Sequence, residues 1–149
     1  MPKASVKRLI ECNKSQLIDL VLNIESYPLF VPYCLNSKIY EKKEEEDLIL
    51  IIADLTIGKG PFKATYKSNV RFDKKKDYIC VTNIEGPLKY LDNKWFFYEK
   101  EKYTEISFEI DFEIKNKFLN ILMTKSFQFG LDKIADSFQK RAHDLFRNK

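Results

Sequence analysis

The spacing of apolar residues changes twice along this chain, and each change marks a different kind of element. Ala4 to Cys12 reads as a short strand, with Val6 and Leu9-Ile10 apolar. Asn13-Lys14-Ser15-Gln16 follows, placing a capping residue three positions before a glutamine, an approximate capping box. Leu17, Leu20, Val21 and Ile24 continue at helical spacing. From Leu35 to Ile114 the period is two, and strands are predicted over 35–43, 46–57, 61–74, 78–85, 89–100 and 103–114. Gly58-Lys59-Gly60-Pro61, Lys74-Lys75-Lys76-Asp77 and Gly86-Pro87 supply turns, and Lys42 to Asp47 reads as a solvated hairpin tip. Links this short require antiparallel neighbours. The last period is helical: Phe127, Leu131, Ile134, Phe138, Ala142 and Leu145 form one apolar stripe, with Lys133, Lys140 and Arg141 off it, in a helix starting near Asn116–Phe118.

The final strand alternates most cleanly. Ile106, Phe108, Ile110, Phe112 and Ile114 share one face, and Glu105, Ser107, Glu109, Asp111 and Glu113 the other. Its predecessor is aromatic on both faces, so pairing must decide which is inside. An even-numbered loop at Glu101-Lys102 sets Trp95 opposite Phe108, Phe97 opposite Ile106 and Lys94 opposite Glu109. The inner set is then Leu91, Trp95 and Phe97 with Ile106, Phe108, Ile110 and Phe112. Likewise Phe62, Ala64, Tyr66, Ser68, Val70 and Phe72 alternate against Lys63, Thr65, Lys67, Asn69 and Arg71.

Two stretches resist this scheme. Leu48 to Ile57 is apolar on both faces, so its second face needs a cover: the first helices, a partner copy or a membrane surface. Tyr27-Pro28-Leu29-Phe30-Val31-Pro32-Tyr33-Cys34 is an uncharged connection carrying three rings and two prolines, which deny it a normal helix interior beyond one short turn. Connections usually run polar over the surface. This one must cover a core, line a pocket or meet a lipid or partner, and it is expected to form a stiff lid with Tyr27 and Phe30 inward and Tyr33 at the rim.

One antiparallel sheet and one long helix bury their apolar faces against each other, giving a single domain over 1–149. Large inner residues mixed with Ala64, Ser68 and Gly130 suit either a cavity or a tight core. Composition narrows the class. At 32% charged residues and with its longest apolar run from Leu48 to Ala53, the sequence holds no candidate membrane span, which needs ~20 apolar residues. No apolar targeting segment opens it, so a cytoplasmic setting is expected, at most peripheral to the inner membrane. Cys12, Cys34 and Cys80 lack CxxC spacing and read as reduced, buried thiols. A net charge of +4 is too small an excess to argue nucleic acid alone.

The order strand, one or two helices, six strands, long helix resembles the α+β helix-grip fold of the START-like (Bet v 1-like) superfamily, which includes polyketide cyclases. It is most similar to the coenzyme Q-binding branch. The motifs are Tyr27-Pro28-x-Phe30-Val31-Pro32-x-Cys34, Gly86-Pro87-Leu88-x-x-Leu91-x-x-x-Trp95-x-Phe97, Asp111-Phe112-Glu113-Ile114 and Phe138-x-x-Arg141-Ala142. Tyr33, Leu88 and Asn93 depart from the branch's usual tryptophan, phenylalanine and glycine. That branch holds mitochondrial quinone chaperones and bacterial ribosome-association toxins. The resemblance implies a curved sheet of about seven strands around a long helix, with an apolar tunnel for ubiquinone or a similar lipid and no covalent cofactor. Partners would be that apolar molecule, a membrane surface in passing, or the large ribosomal subunit. The matched motifs put Tyr27, Phe30, Trp95 and Phe97 near the tunnel, the residue pattern adds Tyr66, Phe108, Phe127 and Leu131, and Tyr33 is expected at its rim. Trp95 and Tyr66 are the stronger binding candidates, because a buried polar tip needs a partner. Arg141 is expected to sit in a solvated surface salt bridge, with a lipid headgroup as the alternative.

Support for catalysis is weak. His143 is the only histidine and lies on the terminal helix, no GxSxG occurs, and the last strand's carboxylates fall on the solvent face. No His or Cys cluster has metal-ligand spacing. The expected function is non-catalytic lipid binding in support of respiration; the alternatives are a toxin-type ribosome regulator and, more weakly, an aromatase or cyclase.

Overall fold

The structure, a computed structural model, describes residues 3–59 and 61–146, apart from the side chains at 59, 62, 119 and 122–127. Elements follow in the order β1 (Lys3–Ile10), α1 (Lys14–Leu22), a 3-10 helix (Ile24–Leu29), β2 (Cys34–Glu44), β3 (Leu48–Lys59), β4 (Phe62–Asp73), β5 (Tyr78–Glu85), β6 (Leu88–Glu99), β7 (Thr104–Ile114) and α2 (Lys117–Phe146). The strands make one seven-stranded antiparallel sheet, ordered β1-β7-β6-β5-β4-β3-β2. Register shifts between Cys34 and Asn36, Ile39 and Glu41, Lys67 and Ser68, and Leu88 and Tyr90 bend the strands, because an extra residue on one strand of a pair increases local twist.

The sequence-level expectations hold at these positions. The Asn13 side chain accepts from the Gln16 backbone N–H while the Gln16 side chain accepts from the Asn13 N–H, a complete capping box for α1. The β6–β7 link spans Lys100 to Tyr103, an even number, and the register is Trp95 with Phe108, Phe97 with Ile106 and Lys94 with Glu109. The Lys94 ammonium nevertheless pairs along its own strand, 3.6 Å from Asp92.

The second face of β3 is not covered by helices. Ile51 and Ala53 are fully buried in a core shared with Leu17, Leu20, Val21 and Ile24, so the first helices lie on the inner face. On the outer face Leu50 is set between Lys43 and Arg71, and Ile52 between Glu41 and Asn69. Both stay half-buried, flanked by long side chains whose stems are apolar even where their heads are charged.

The proline segment becomes the 3-10 helix, with Pro28 inside it and the Phe30 and Val31 N–H groups both donating to the Tyr27 carbonyl. Tyr33 then takes a left-handed φ of 70°, uncommon for a side chain of its size, and its carbonyl accepts from Gly58 N–H at 2.9 Å. Ser37 Oγ donates to the Ile24 carbonyl, and Glu25 accepts from Ile39 N–H, so the 3-10 helix also shields the free edge of β2.

All connections between strands fall at the two ends of the sheet. One end carries Glu45 to Asp47, Lys74 to Asp77 and Lys100 to Tyr103, a charged rim. The other carries Gly86-Pro87, the β3–β4 turn, the entry to β2 and the start of α2. At this second end Leu29, Leu35, Ile57, Ile84, Phe118 and Ile121 are exposed.

Candidate functional site

The space between sheet and α2 differs along its length. Toward the charged rim it is filled. Phe138, projecting from α2, meets Tyr27 at 5.5 Å, Phe30 at 5.1 Å and Trp95 at 5.3 Å between ring centroids, all edge-on. Tyr27 and Phe30 meet each other at 6.0 Å, and Trp95 packs on Phe108 at 4.3 Å. Edge-to-face contacts in this range contribute about 0.5–1.5 kcal/mol each beyond area burial. A cavity of about 20 Å³ remains beside this cluster, lined by Val6, Ile10, Trp95, Phe108, Leu131 and Phe138 among others. That is room for roughly one water, whereas a pocket for a small organic ligand takes about 300–1,000 Å³.

Toward the glycine-proline end burial falls away. Along the inner face of β3, Ile51 and Ala53 are sealed, Leu55 is half-buried and Ile57 is 38% exposed. Along β4, Phe72, Val70 and Ser68 are buried while Tyr66 and Ala64 are half-buried. Gly86 leans against this region with φ 134°, and a Cβ there would lie 2.8 Å from Tyr66 Cβ, so only glycine fits.

The nine expected residues separate accordingly. Tyr27, Phe30, Trp95, Phe108 and Leu131 gather around Phe138. Phe97 is buried in the same core but does not line the cavity. Tyr33 is half-buried at the rim, Tyr66 stands on the open half, and the Phe127 side chain lies outside the described residues. Phe138 was legible as part of an apolar stripe, but not as the ring that fills the space between the other aromatic residues.

The polar tips inside meet different fates. Trp95 Nε1–H donates to Asn93 Oδ1 at 3.0 Å, and Asn93 Nδ2–H donates to the Glu109 carbonyl at 2.9 Å. Asn93, at a position where glycine is usual in the resembling branch, thus orients the tryptophan. Tyr27 Oη donates to the Val21 carbonyl, and burial, with smaller contributions from Tyr66 and Cys34, pushes its phenol far above the ordinary value. The Tyr66 hydroxyl makes no hydrogen bond among the described residues; burial, then the neighbouring Cys34, pushes it from 10.0 to about 12.

Arg141 departs from expectation. Among the described residues it has no carboxylate within salt-bridge range; its guanidinium carbon lies 5.4 Å from the Phe30 centroid, and its Nε is buried without a partner. A cation over a ring gives about 0.5–2 kcal/mol, and a buried N–H lacking an acceptor costs about 1–3 kcal/mol. The two roughly cancel, so the fold alone gains little from an arginine here.

A curved antiparallel sheet gripping a long C-terminal helix, with an aromatic interior between them, is the helix-grip fold of the START superfamily. Residues 10–139 match the family described as polyketide cyclase/dehydrase and lipid transport, and the chain belongs to it. It is 29% identical to the ribosome association toxin RatA of Rickettsia prowazekii over 143 residues, 94% of this chain and 95% of that protein. It is 32% identical to a mitochondrial coenzyme Q-binding protein of Dictyostelium discoideum over 135 residues, 89% of this chain and 64% of that protein. An 18 kDa protein of Caulobacter crescentus solved in solution superposes with a TM-score of 0.81 at 26% identity, over 97% of this chain and 98% of that one.

Proposed function

We propose that the protein binds a hydrophobic ligand without transforming it, and that the ligand is ubiquinone or another polyprenyl lipid held for respiratory use. The carrying observation is the uneven interior: a packed aromatic floor, and above it a half-buried apolar face on which the Tyr66 hydroxyl has no partner among the described residues. The tail would lie against that face by displacing α2 from the sheet, and the phenol would donate to a head-group carbonyl. The similarity to a coenzyme Q-binding protein supports this ligand class. Three of the four β7 carboxylates are engaged elsewhere and the fourth, Glu109, is exposed: Glu105 and Glu113 pair with Lys100 and Lys89, and Asp111 accepts from Tyr90, which disfavours acid–base chemistry in the interior.

Among the described residues no helix is long and apolar enough to cross a membrane. Exchange with a bilayer would instead use the end where Phe118 and Ile121 are 61% and 60% exposed beside the exposed lysines Lys115 and Lys117. Native mass spectrometry of the purified protein, followed by quinone titration, tests the reading. Co-purifying lipid or saturable quinone binding is expected; recovery of no lipid together with no binding would overturn it.

A ribosome-binding regulator is the second reading, favoured by similarity to RatA along almost the whole of both chains. Cosedimentation with large ribosomal subunits, weakening as salt rises, would support it, because phosphate contacts release counterions.

A further inference from the structure

We propose that Arg141 is a docking point for an oxyanion, a phosphate or carboxylate, at the seam between α2 and the segment that follows the 3-10 helix. The guanidinium is held against the Phe30 ring, and Phe30 is itself fixed by Phe138 and Tyr27. The cation is therefore placed by a rigid aromatic support and not by an opposite charge. Its Nε is sealed from solvent with no acceptor among the described residues, while the residue as a whole remains partly exposed. Arg8, packed from β1 against the same helix, shows the contrast: it lies 3.2 Å from Asp136 and 3.8 Å from Asp132. Asp144, one helical turn beyond Arg141, makes no such pair with it.

A planar guanidinium presents its Nε and Nη hydrogens as a fork that matches two oxygens of one anion. A phosphate or carboxylate reaching the partly exposed residue would neutralise the charge, and the orphaned Nε would gain its acceptor as the side chain turns outward to complete the fork. Lysine offers no such fork. The oxyanion has two chemical sources, the head of an amphiphile whose tail enters the interior, or a free anion. The first rests on the lipid-binding reading above; the second does not.

Two measurements on the full chain separate these. In the first, the Arg141 Nε–Hε resonance, assigned by its loss in Arg141→Lys, is followed while inorganic phosphate is added at constant ionic strength against chloride. A saturable shift is expected. In the second, a polyprenyl monophosphate and the polyprenol of equal length are titrated into the wild type, Arg141→Gln and Arg141→Lys, each first checked for native near-ultraviolet circular dichroism. The phosphate-headed lipid should bind at least ten-fold more tightly to the wild type. Arg141→Gln should remove that preference while leaving polyprenol affinity unchanged, and Arg141→Lys should restore only part of it. A phosphate-induced shift without any lipid preference assigns the site to a free anion. If neither lipid binds while phosphate still shifts the resonance, the lipid reading fails and the oxyanion site stands. No shift together with equal affinity for the two lipids overturns the proposal, as does a preference that survives Arg141→Gln.

Discussion

The two ends of the sheet are built from opposite materials. At the charged rim, turns rich in Lys, Glu and Asp cap an interior where Phe97, Trp95, Ile79 and Ile106 are buried. At the glycine-proline end the same strands run out with Ile57 and Ile84 uncovered, and α2 begins there with exposed Phe118 and Ile121. A domain meant only to be stable gains by sealing both ends, because each buried large apolar side chain contributes about 1.5–3 kcal/mol. The forgone burial at one end fits a region kept for contact with something else. On the reading proposed above, stability and binding would occupy different halves of one sheet.

The comparison breaks most readily at Phe138. Phe138→Ala removes the ring shared by Tyr27, Phe30 and Trp95 and should destabilise by about 3–5 kcal/mol in urea unfolding. A loss below about 1 kcal/mol would mean that the packed half is not packed. At the other end, Gly86→Ala forces a side chain into a left-handed φ and onto Tyr66, at a cost of about 2 kcal/mol. The pH profile comes next. Between pH 10 and 12 the unfolded chain has released the Tyr66 proton while the folded chain retains it, so stability is whole below pH 10 and falls as pH rises through 12, by at most about 3 kcal/mol and by less to the extent that solvent screens this half-buried residue. Cys12, pushed by burial from 9.0 to about 11, adds in the same direction at slightly lower pH. Tyr66→Phe should flatten the Tyr66 part of this slope and change stability at pH 7 by under about 0.5 kcal/mol, since its hydroxyl has no partner to lose. A small effect of opposite sign is expected at Gly130, in the body of α2, where an added Cβ meets nothing within 4 Å. Gly130→Ala should raise stability by up to about 1 kcal/mol in thermal melts. A decrease would show that α2 presses on a neighbour there.

Much of this architecture was legible because it is local. The capping box at Asn13 and the period-two run of β7 are each specified within a dozen residues. The parity of the Lys100–Tyr103 link then fixes the Trp95–Phe108 pairing. What stayed hidden depends on elements far apart in sequence. Phe138 meets Tyr27 across more than a hundred positions, and neither periodicity predicts the encounter. The same holds for Arg141: helical spacing places it off the apolar stripe, but only the fold shows that it rests on Phe30 and that no carboxylate among the described residues answers its charge. The second face of β3 posed the same difficulty, because the neighbours of Leu50 lie on β2 and β4 and come into view only with the register.

The sheet's strand order also sets a timetable. β1 is made first, yet its neighbour is β7, the last strand made: Val6 pairs with Phe108. At roughly 5–20 residues per second, a ribosome needs on the order of 5–20 seconds to supply that partner. The hairpins from β2 to β6 are complete before then, but α2, which covers their apolar face, is later still. The nascent chain therefore presents a concave surface covered only by the first helices, while β1 still lacks its partner strand. Newly made protein should depend on chaperones during this interval more than a fold built from successive neighbours would, and refolding of the full chain should be slow for its size.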